Sequence, residues 1–530
     1  MLGSILRKIT SLPLTIESWT LSAIGIIFIR IFLEHYSSNE AGRFVLIDAS
    51  TIIHYSTFFI AVLLVSTLIV MSFSKQPLKE SATIALFGFM IIWLPPLLDL
   101  IVSWGAGYTM HYLFLLPKDL LTAFLTMFWS TADTGITYGI RIEIALVVIS
   151  SFAIIYFYTK SILKSLSASV LLYACIFALV SLPSMLGLFQ KQPIPHFVST
   201  SILNSRIIGN SSYPAQSSYE RVLDVSFNSL MTQVNLAIIL AIGILICAIG
   251  YREKLKVLLR NSRPERILHY SILIIIGTLF GGGPLFYLSW VNVLSTIATI
   301  AAFVFAWLVA VCINDIYDKE IDEISNTNRP LPQGSFSKGE FYSLSVVFTI
   351  LSFIAAYSSS MYGLFFVLTF SFAYYIYSVE PLRLKRHYIT GALVIGFAST
   401  SAVLAGFFLS NNQKEFLAFN PLLTILLITL FSFGSMVRDI KDYEGDKLNG
   451  ISTLPVKIGL KKAKIIIATA ISLGMLWVAY YFESILLTIV AISCSLFIWK
   501  TFFAYVYRER NFFITYLFFL LVFIATFILR

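Results

Sequence analysis

Two short segments carry aspartates at the same three offsets, Asp315-Ile-Tyr-Asp318-Lys-Glu-Ile-Asp322 and Asp439-Ile-Lys-Asp442-Tyr-Glu-Gly-Asp446. On a helix of about 3.6 residues per turn, positions i, i+3 and i+7 stack on one face, so each segment presents a stripe of three carboxylates. Asn314 extends the first stripe, since Asn314, Asp318 and Asp322 stand at i, i+4 and i+8. One such stripe alone fits an acidic helix end facing water; its near copy reads as two halves of one site. Both stripes end long apolar runs in a chain of which only 12% is charged, and carboxylates beside a membrane interior are expensive enough to be read as functional. The natural partner is Mg²⁺, a hard cation that takes oxygen ligands and completes its shell with water and substrate phosphates.

The residues around the stripes suit a phosphorylated substrate. After the first stripe comes Asn326-Thr-Asn-Arg329-Pro-Leu-Pro-Gln-Gly334, a loop bounded by proline and glycine that turns Arg329 back toward the carboxylates. A second basic loop reads Tyr377-Ser378-Val-Glu-Pro381-Leu-Arg383-Leu-Lys385-Arg386. Metal-holding carboxylates beside arginine and lysine form a trap for a diphosphate, with fixed cations neutralising the charge that develops as it leaves. At the mouth of an apolar bundle, the matching substrate is a lipid diphosphate. Ionisation would leave an allylic carbocation, which aromatic faces stabilise; Tyr374, Tyr375, Tyr377 and Phe303 are candidates.

The elements that position these groups are membrane helices. Hydrophobic residues make up 58% of the chain and aromatics 15%, a polytopic profile. With about 20 apolar residues per span, about six spans precede Tyr251 and about nine follow it. Between them lies the charged connector Arg252-Glu-Lys-Leu-Lys-Val-Leu-Leu-Arg260-Asn-Ser-Arg263-Pro264. The expected organisation is an extra all-α membrane domain over residues 1–260 and a nine-helix bundle over 261–530. Lysine and arginine fall on alternate loops, among them Lys319, Arg329, Arg383, Lys441 and Lys457. By the positive-inside rule both stripes and the N-terminus then face the cytoplasm, with the C-terminus outside.

Other features carry less. The net charge of +10 comes without a dense basic stripe, so nucleic acid is not an expected partner. Cys175, Cys247, Cys312 and Cys494 are isolated in apolar runs and read as small hydrophobes. His54, His111, His196, His269 and His387 lack metal-ligand spacing, and Asn210-Ser-Ser212 is only a formal glycosylation acceptor. Pro95-Pro96 with Asp99 reads as a helix kink, and Arg141 with Glu143 as a helix-end polar pair.

The ordered set of motifs, Asn314-Asp315-x-x-Asp318-x-x-x-Asp322, Asn328-Arg329-Pro330-Leu-Pro332-x-Gly334, Tyr377-Ser378-x-x-Pro381-x-Arg383-x-Lys385, and Asp439-x-x-Asp442-x-x-x-Asp446 with Thr453-Leu-Pro455, resembles the UbiA family of intramembrane prenyltransferases. The resemblance covers Arg263 to Arg530 and implies Mg²⁺-dependent transfer of a prenyl group from a polyprenyl diphosphate, geranylgeranyl diphosphate in the first instance, to a lipid acceptor. It implies metal binding by Asn314, Asp318, Asp322, Asp439, Asp442 and Asp446, with Asp318, Asp322, Asp442 and Asp446 central to catalysis. Arg329, Arg383 and Lys385 would face the diphosphate, and Asp315 and Tyr377 would support the site. The motif text is most similar to the branch that geranylgeranylates geranylgeranylglyceryl phosphate; the aromatic acceptors of the quinone and chlorophyll branches are the alternative. A reading of another class is a cation-binding transporter or membrane scaffold whose stripes hold an ion without reaction. The pattern carries no information on oligomeric state and gives the first domain no counterpart.

Overall fold

In lipid a chain must satisfy every backbone polar group internally, and apolar runs of this length do so as helices. The computed structural model describes residues 2–37, 48–105, 107–108, 110–129, 136–186, 216–411, 415–448 and 452–529. Asn210-Ser-Ser212, His196, Lys414 and Arg530 lie outside them. The protein is an all-helical, multi-pass membrane protein. Fourteen helices of the described residues are long and apolar enough to cross a membrane. A further helix, Pro264–Gly282, runs apolar from Ile267 behind a charged first turn. The described chain divides into two compact units between Leu255 and Lys256.

The first unit contains α1 (Leu2–Thr10), α2 (Ile16–Ser37), α3 (Ala49–Ser74), α4 (Leu78–Val102), α5 (Tyr138–Thr159), α6 (Ile162–Val180) and α7 (Gln216–Gly250). Ile27, Leu63, Ile155 and Leu172 lie at the centre of its core. Side-chain caps start the helices, as where Asp48 accepts the Ser50 amide at 2.7 Å before α3. The expected kink in α4 is present: residues Met90–Trp93 tighten into a 3₁₀ turn just ahead of Pro95 and Pro96, which lack the amide hydrogen the ladder needs. Arg141 and Glu143, by contrast, form no ion pair with each other; two residues apart on α5, they point to different faces.

Within the second unit the elements are the end of α8 (Arg252–Asn261), then α9 (Pro264–Gly282), α10 (Trp290–Tyr317), α11 (Lys319–Ser325), α12 (Lys338–Ser359), α13 (Met361–Ser378), α14 (Tyr388–Ser410), α15 (Pro421–Ser435), α16 (Val437–Lys441), α17 (Tyr443–Leu448), α18 (Leu454–Ile458), α19 (Leu460–Tyr481), α20 (Ile485–Phe502) and α21 (Glu509–Ile528). Helix α14 is the central element, packing on α9, α13 and α15. Its crossing with α9 is backbone to backbone. A Cβ on Gly277 would overlap the Val403 carbonyl, and one on Gly406 would overlap the Ile274 carbonyl. Small residues allow this approach where lipid supplies no hydrophobic drive between helices. The short pieces α11, α16 and α17 interrupt the long helices where the aspartate stripes lie.

Candidate active site

The first stripe sits where α10 ends. Asp315 is buried in the last turn and receives three donors: Arg329 Nη1 at 2.8 Å, Asn261 Nδ2 at 2.7 Å and Arg263 Nη2 at 3.3 Å. Burial, with Arg329 beside it, pushes the Arg263 guanidinium down to about 10. This clasp ties the start of α9 and the Arg329 loop to α10, so Asp315 spends its oxygens on protein donors. The loop folds back as its prolines and glycine require: Arg329 N donates to Asn326 O at 2.9 Å, and Gly334 takes a positive φ of 70°.

Asp318 stands at the break between α10 and α11 and faces the basic loop. Arg383 Nη2 donates to it at 2.8 Å, and Lys385 Nζ lies 2.5 Å from both its oxygens. Burial lowers the Lys385 ammonium while the Asp318 charge opposes that shift. Asn314 Oδ1, one turn back on α10, accepts the Ser378 hydroxyl at 3.2 Å. Asp322 is buried on α11, where Asn326 Nδ2 donates to it at 2.9 Å, and burial raises its carboxyl.

The second stripe follows α15. Asp439 lies on α16, Asp442 stands at the α16–α17 break, and Asp446 lies on α17. Asp442 is exposed and, like Asp446, has no ion pair among the described residues. Burial, helped by Asp442, raises the Asp446 carboxyl. Arg438, immediately before the stripe, was not singled out from the sequence. Its Nη2 donates to the Tyr377 hydroxyl at 2.7 Å and lies 3.9 Å from Asp439. The available signal was a guanidinium at the end of an apolar run, one residue ahead of an aspartate.

Tyr377 and Ser378 thereby join the halves: these adjacent residues at the end of α13 touch Arg438 of the second stripe and Asn314 of the first. The charge of Arg438 also reaches across, helping to lower both Lys385 and Arg263. A bridge between His387 and Ser452, and Lys457 lying 5.0 Å over the Tyr388 ring, tie the basic loop to the segment after the second stripe. Sequence reasoning placed the stripes and the basic loop in one site; the structure brings Asn314, Asp318, Tyr377, Arg383 and Lys385 into one connected network and links Arg438 to it.

The donor set fits a hard divalent cation, being carboxylate and amide oxygens without sulfur or imidazole. Among the described residues, no three His, Cys, Asp or Glu side chains already surround one point. A divalent cation held here would complete its shell with water and substrate phosphates.

An apolar cavity of about 140 Å³ reaches Ser435, four residues before the second stripe. It runs between α9, α14, α15, α19 and α21, from Ser435 and Arg266 down to Phe482 and Phe523. His269 in its wall is buried, donating to or accepting from Ser399 and Tyr516, and is a satisfied core histidine. The aromatics named from the sequence lie elsewhere. Tyr374 is hydrogen-bonded to Tyr270, Phe303 packs at 5.1 Å on Phe370, and Tyr375 is exposed.

Residues 270–526 match the UbiA prenyltransferase family. The second unit carries a UbiA prenyltransferase domain. Among curated relatives, the chain is 28% identical over 267 residues to digeranylgeranylglyceryl phosphate synthase of Methanocaldococcus jannaschii, covering 49% of this chain and 89% of that one. It is 32% identical over 151 residues to the enzyme of the same name from Sulfurisphaera tokodaii, covering 28% and 52%. With chlorophyll synthase of Avena sativa it shares 31% over 184 residues, covering 32% and 47%. Thus the chain spans about half the length of two of these three relatives. A solved UbiA homologue from Archaeoglobus fulgidus, bound to GPP and Mg²⁺, is 20% identical with a TM-score of 0.41, covering 52% of this chain and all of that one.

Proposed function

We propose that this protein moves a prenyl group from a polyprenyl diphosphate to a lipid acceptor at the UbiA site, with geranylgeranyl diphosphate as donor. The observation that carries the reading is the Tyr377–Ser378 junction, which links both acidic stripes around Arg383 and Lys385. Asn314, Asp318 and Asp322 on one side, and Asp439, Asp442 and Asp446 on the other, would hold Mg²⁺. When bound, Mg²⁺ supplies charge neutralisation on the diphosphate oxygens. Arg383 and Lys385 are paired with Asp318 in the ligand-free site and are the cations that would turn to the diphosphate; Arg329, engaged by Asp315, would contribute its field. The C–O bond to the prenyl group breaks with its electron pair leaving on the diphosphate. The acceptor oxygen then gives a lone pair to the prenyl carbon and loses its proton to water. Apolar walls exclude water from the prenyl chain.

The topology goes with this reading: N-terminus and active site on the cytoplasmic side, C-terminus outside. The acceptor is a glyceryl phosphate ether, supported by the archaeal relatives and by exposed Lys461 and Lys462 beyond the second stripe, which suit an anionic headgroup. The plant chlorophyll synthase relative supports a second reading, an aromatic acceptor. The test uses the full protein in lipid nanodiscs with labelled geranylgeranyl diphosphate, Mg²⁺, and geranylgeranylglyceryl phosphate competing with hydroxybenzoate, naphthoate and chlorophyllide. Prenylation of the glyceryl phosphate, abolished by EDTA, is expected. Prenylation of aromatic acceptors alone would overturn the acceptor assignment, and absence of diphosphate release with every acceptor would overturn the reaction.

A further inference from the structure

A cavity of about 100 Å³ lies between α3, α4, α5 and α6, with Met110 also in its lining, where about 10–15 Å³ suffices for one water. Its walls are almost wholly apolar, with Phe58, Phe59 and Phe89 among them. Glu143 is its one ionisable lining residue among those described. No described residue gives the Glu143 carboxyl a hydrogen bond or an ion pair. Two turns further along the same face of α5, the Ser151 hydroxyl is buried in the cavity wall, also without a partner.

The neighbouring charges are already engaged. Arg30 pairs with Glu34, whose Oε1 also accepts the Met110 amide at 2.5 Å. Asp99 caps α5 by accepting the Gly139 amide at 2.8 Å, and Arg141 lies over the Tyr138 ring at 5.8 Å. Arg30, Glu34 and Asp99 are all within electrostatic reach of Glu143. Within that reach the one guanidinium, Arg30, is already taken up by Glu34, and the Glu143 carboxyl faces the cavity without a partner among the described residues. An unpaired carboxylate in apolar surroundings is costly, and a positive charge beside it offsets part of that cost. The wall offers too few oxygens to replace the shell of a bare metal ion, since Ser66 already donates to Val62 O at 2.9 Å. It offers no lysine or arginine for a phosphate, which disfavours zwitterionic lipids. Aromatic and aliphatic walls favour an organic cation with an alkyl tail.

We propose that the first unit binds a small organic cation with a single protonated nitrogen, the nitrogen at Glu143 and a short alkyl chain along the cavity toward Ser151. Helical rise puts about 12 Å between those two positions, which an ammonium head group with a chain of about six carbons nearly spans.

The test uses the full chain in nanodiscs with three photoactivatable six-carbon probes that differ only in head group: amine, alcohol and carboxylate. Peptide mapping after illumination should find the amine on α3, α5 and α6, and the other two at background. Glu143→Gln should cut amine labelling by on the order of tenfold, one charge-assisted contact's worth. Ser151→Leu, which fills the cavity and leaves the carboxyl in place, should cut it as well, and unchanged thermal melting of each variant establishes that it is folded. Equal labelling by amine and alcohol, as expected of a carboxyl that merely takes up a proton, would overturn the proposal. So would amine labelling that persists in both variants, or no labelling of these helices.

Discussion

Asp318 and Asp442 occupy matching positions in the two stripes but very different surroundings, and this separates a catalytic from a structural role. Asp318 takes three close contacts, from Arg383 at 2.8 Å and from Lys385 at 2.5 Å to each oxygen, with 15% of its side chain exposed. Asp442 is exposed and has no ion pair among the described residues. Hydrogen bonds to charged groups contribute about 1.5–3 kcal/mol each when desolvated, and partial exposure reduces that. Asp318→Asn keeps the shape and removes the charge, leaving two half-buried cations facing an amide; a loss of about 1–3 kcal/mol in stability is expected. Asp442→Asn should leave stability within about 0.5 kcal/mol of the parent. On turnover the two should be alike. Loss of one preorganised electrostatic contact to a developing charge lowers kcat by about 10²–10³-fold, and on the proposed function each aspartate would supply one side of the metal site. The assay is diphosphate release from labelled geranylgeranyl diphosphate across a Mg²⁺ titration, with thermal melting of the same nanodisc samples. If Asp442→Asn turned over within tenfold of the parent at saturating Mg²⁺, the two-stripe site would be refuted. If Asp318→Asn lost activity only in proportion to its unfolded fraction, Asp318 would be a structural ion-pair residue and no more.

Three further outcomes follow from particular contacts. Tyr377→Phe removes the hydroxyl that holds Arg438 at 2.7 Å; about 1 kcal/mol of lost hydrogen bonding predicts a fall in kcat of roughly five- to tenfold with little change in KM for the prenyl donor, read by the same turnover assay. Gly406→Leu forces a side chain onto the Ile274 carbonyl at the α9–α14 crossing, and the variant should express poorly or lose several kcal/mol of stability, about 3 or more; a Leu variant with parental melting would refute the close approach. A truncated chain beginning at Arg252, which keeps Val257 and Leu258 against Leu331 and Phe341, should fold and retain at least partial turnover, whereas complete loss in well-folded protein would place the first unit in the reaction.

The helices and the stripes were legible in the linear chain because both depend on fixed periods. A bilayer of set thickness needs about 20 apolar residues per crossing, so the six spans before Tyr251 and those after it could be read off one by one. Aspartates at i, i+3 and i+7 share a face in any helix, whatever surrounds it. Partner choice has no such local rule. That Asp315 is consumed by Asn261, Arg263 and Arg329 follows from where α9 and the Arg329 loop end relative to α10, whereas Asp442 carries no ion pair among the described residues. Arg438 looked unremarkable until α13 placed Tyr377 beside it across 61 residues of chain. The Arg141–Glu143 pair expected from adjacency was wrong for a geometric reason, since two residues on one helix diverge in direction. Only the packing of α3, α4, α5 and α6 decided that Glu143 faces an apolar cavity. Local periodicity determines which face a residue joins; the crossing of helices distant in sequence determines what that face meets.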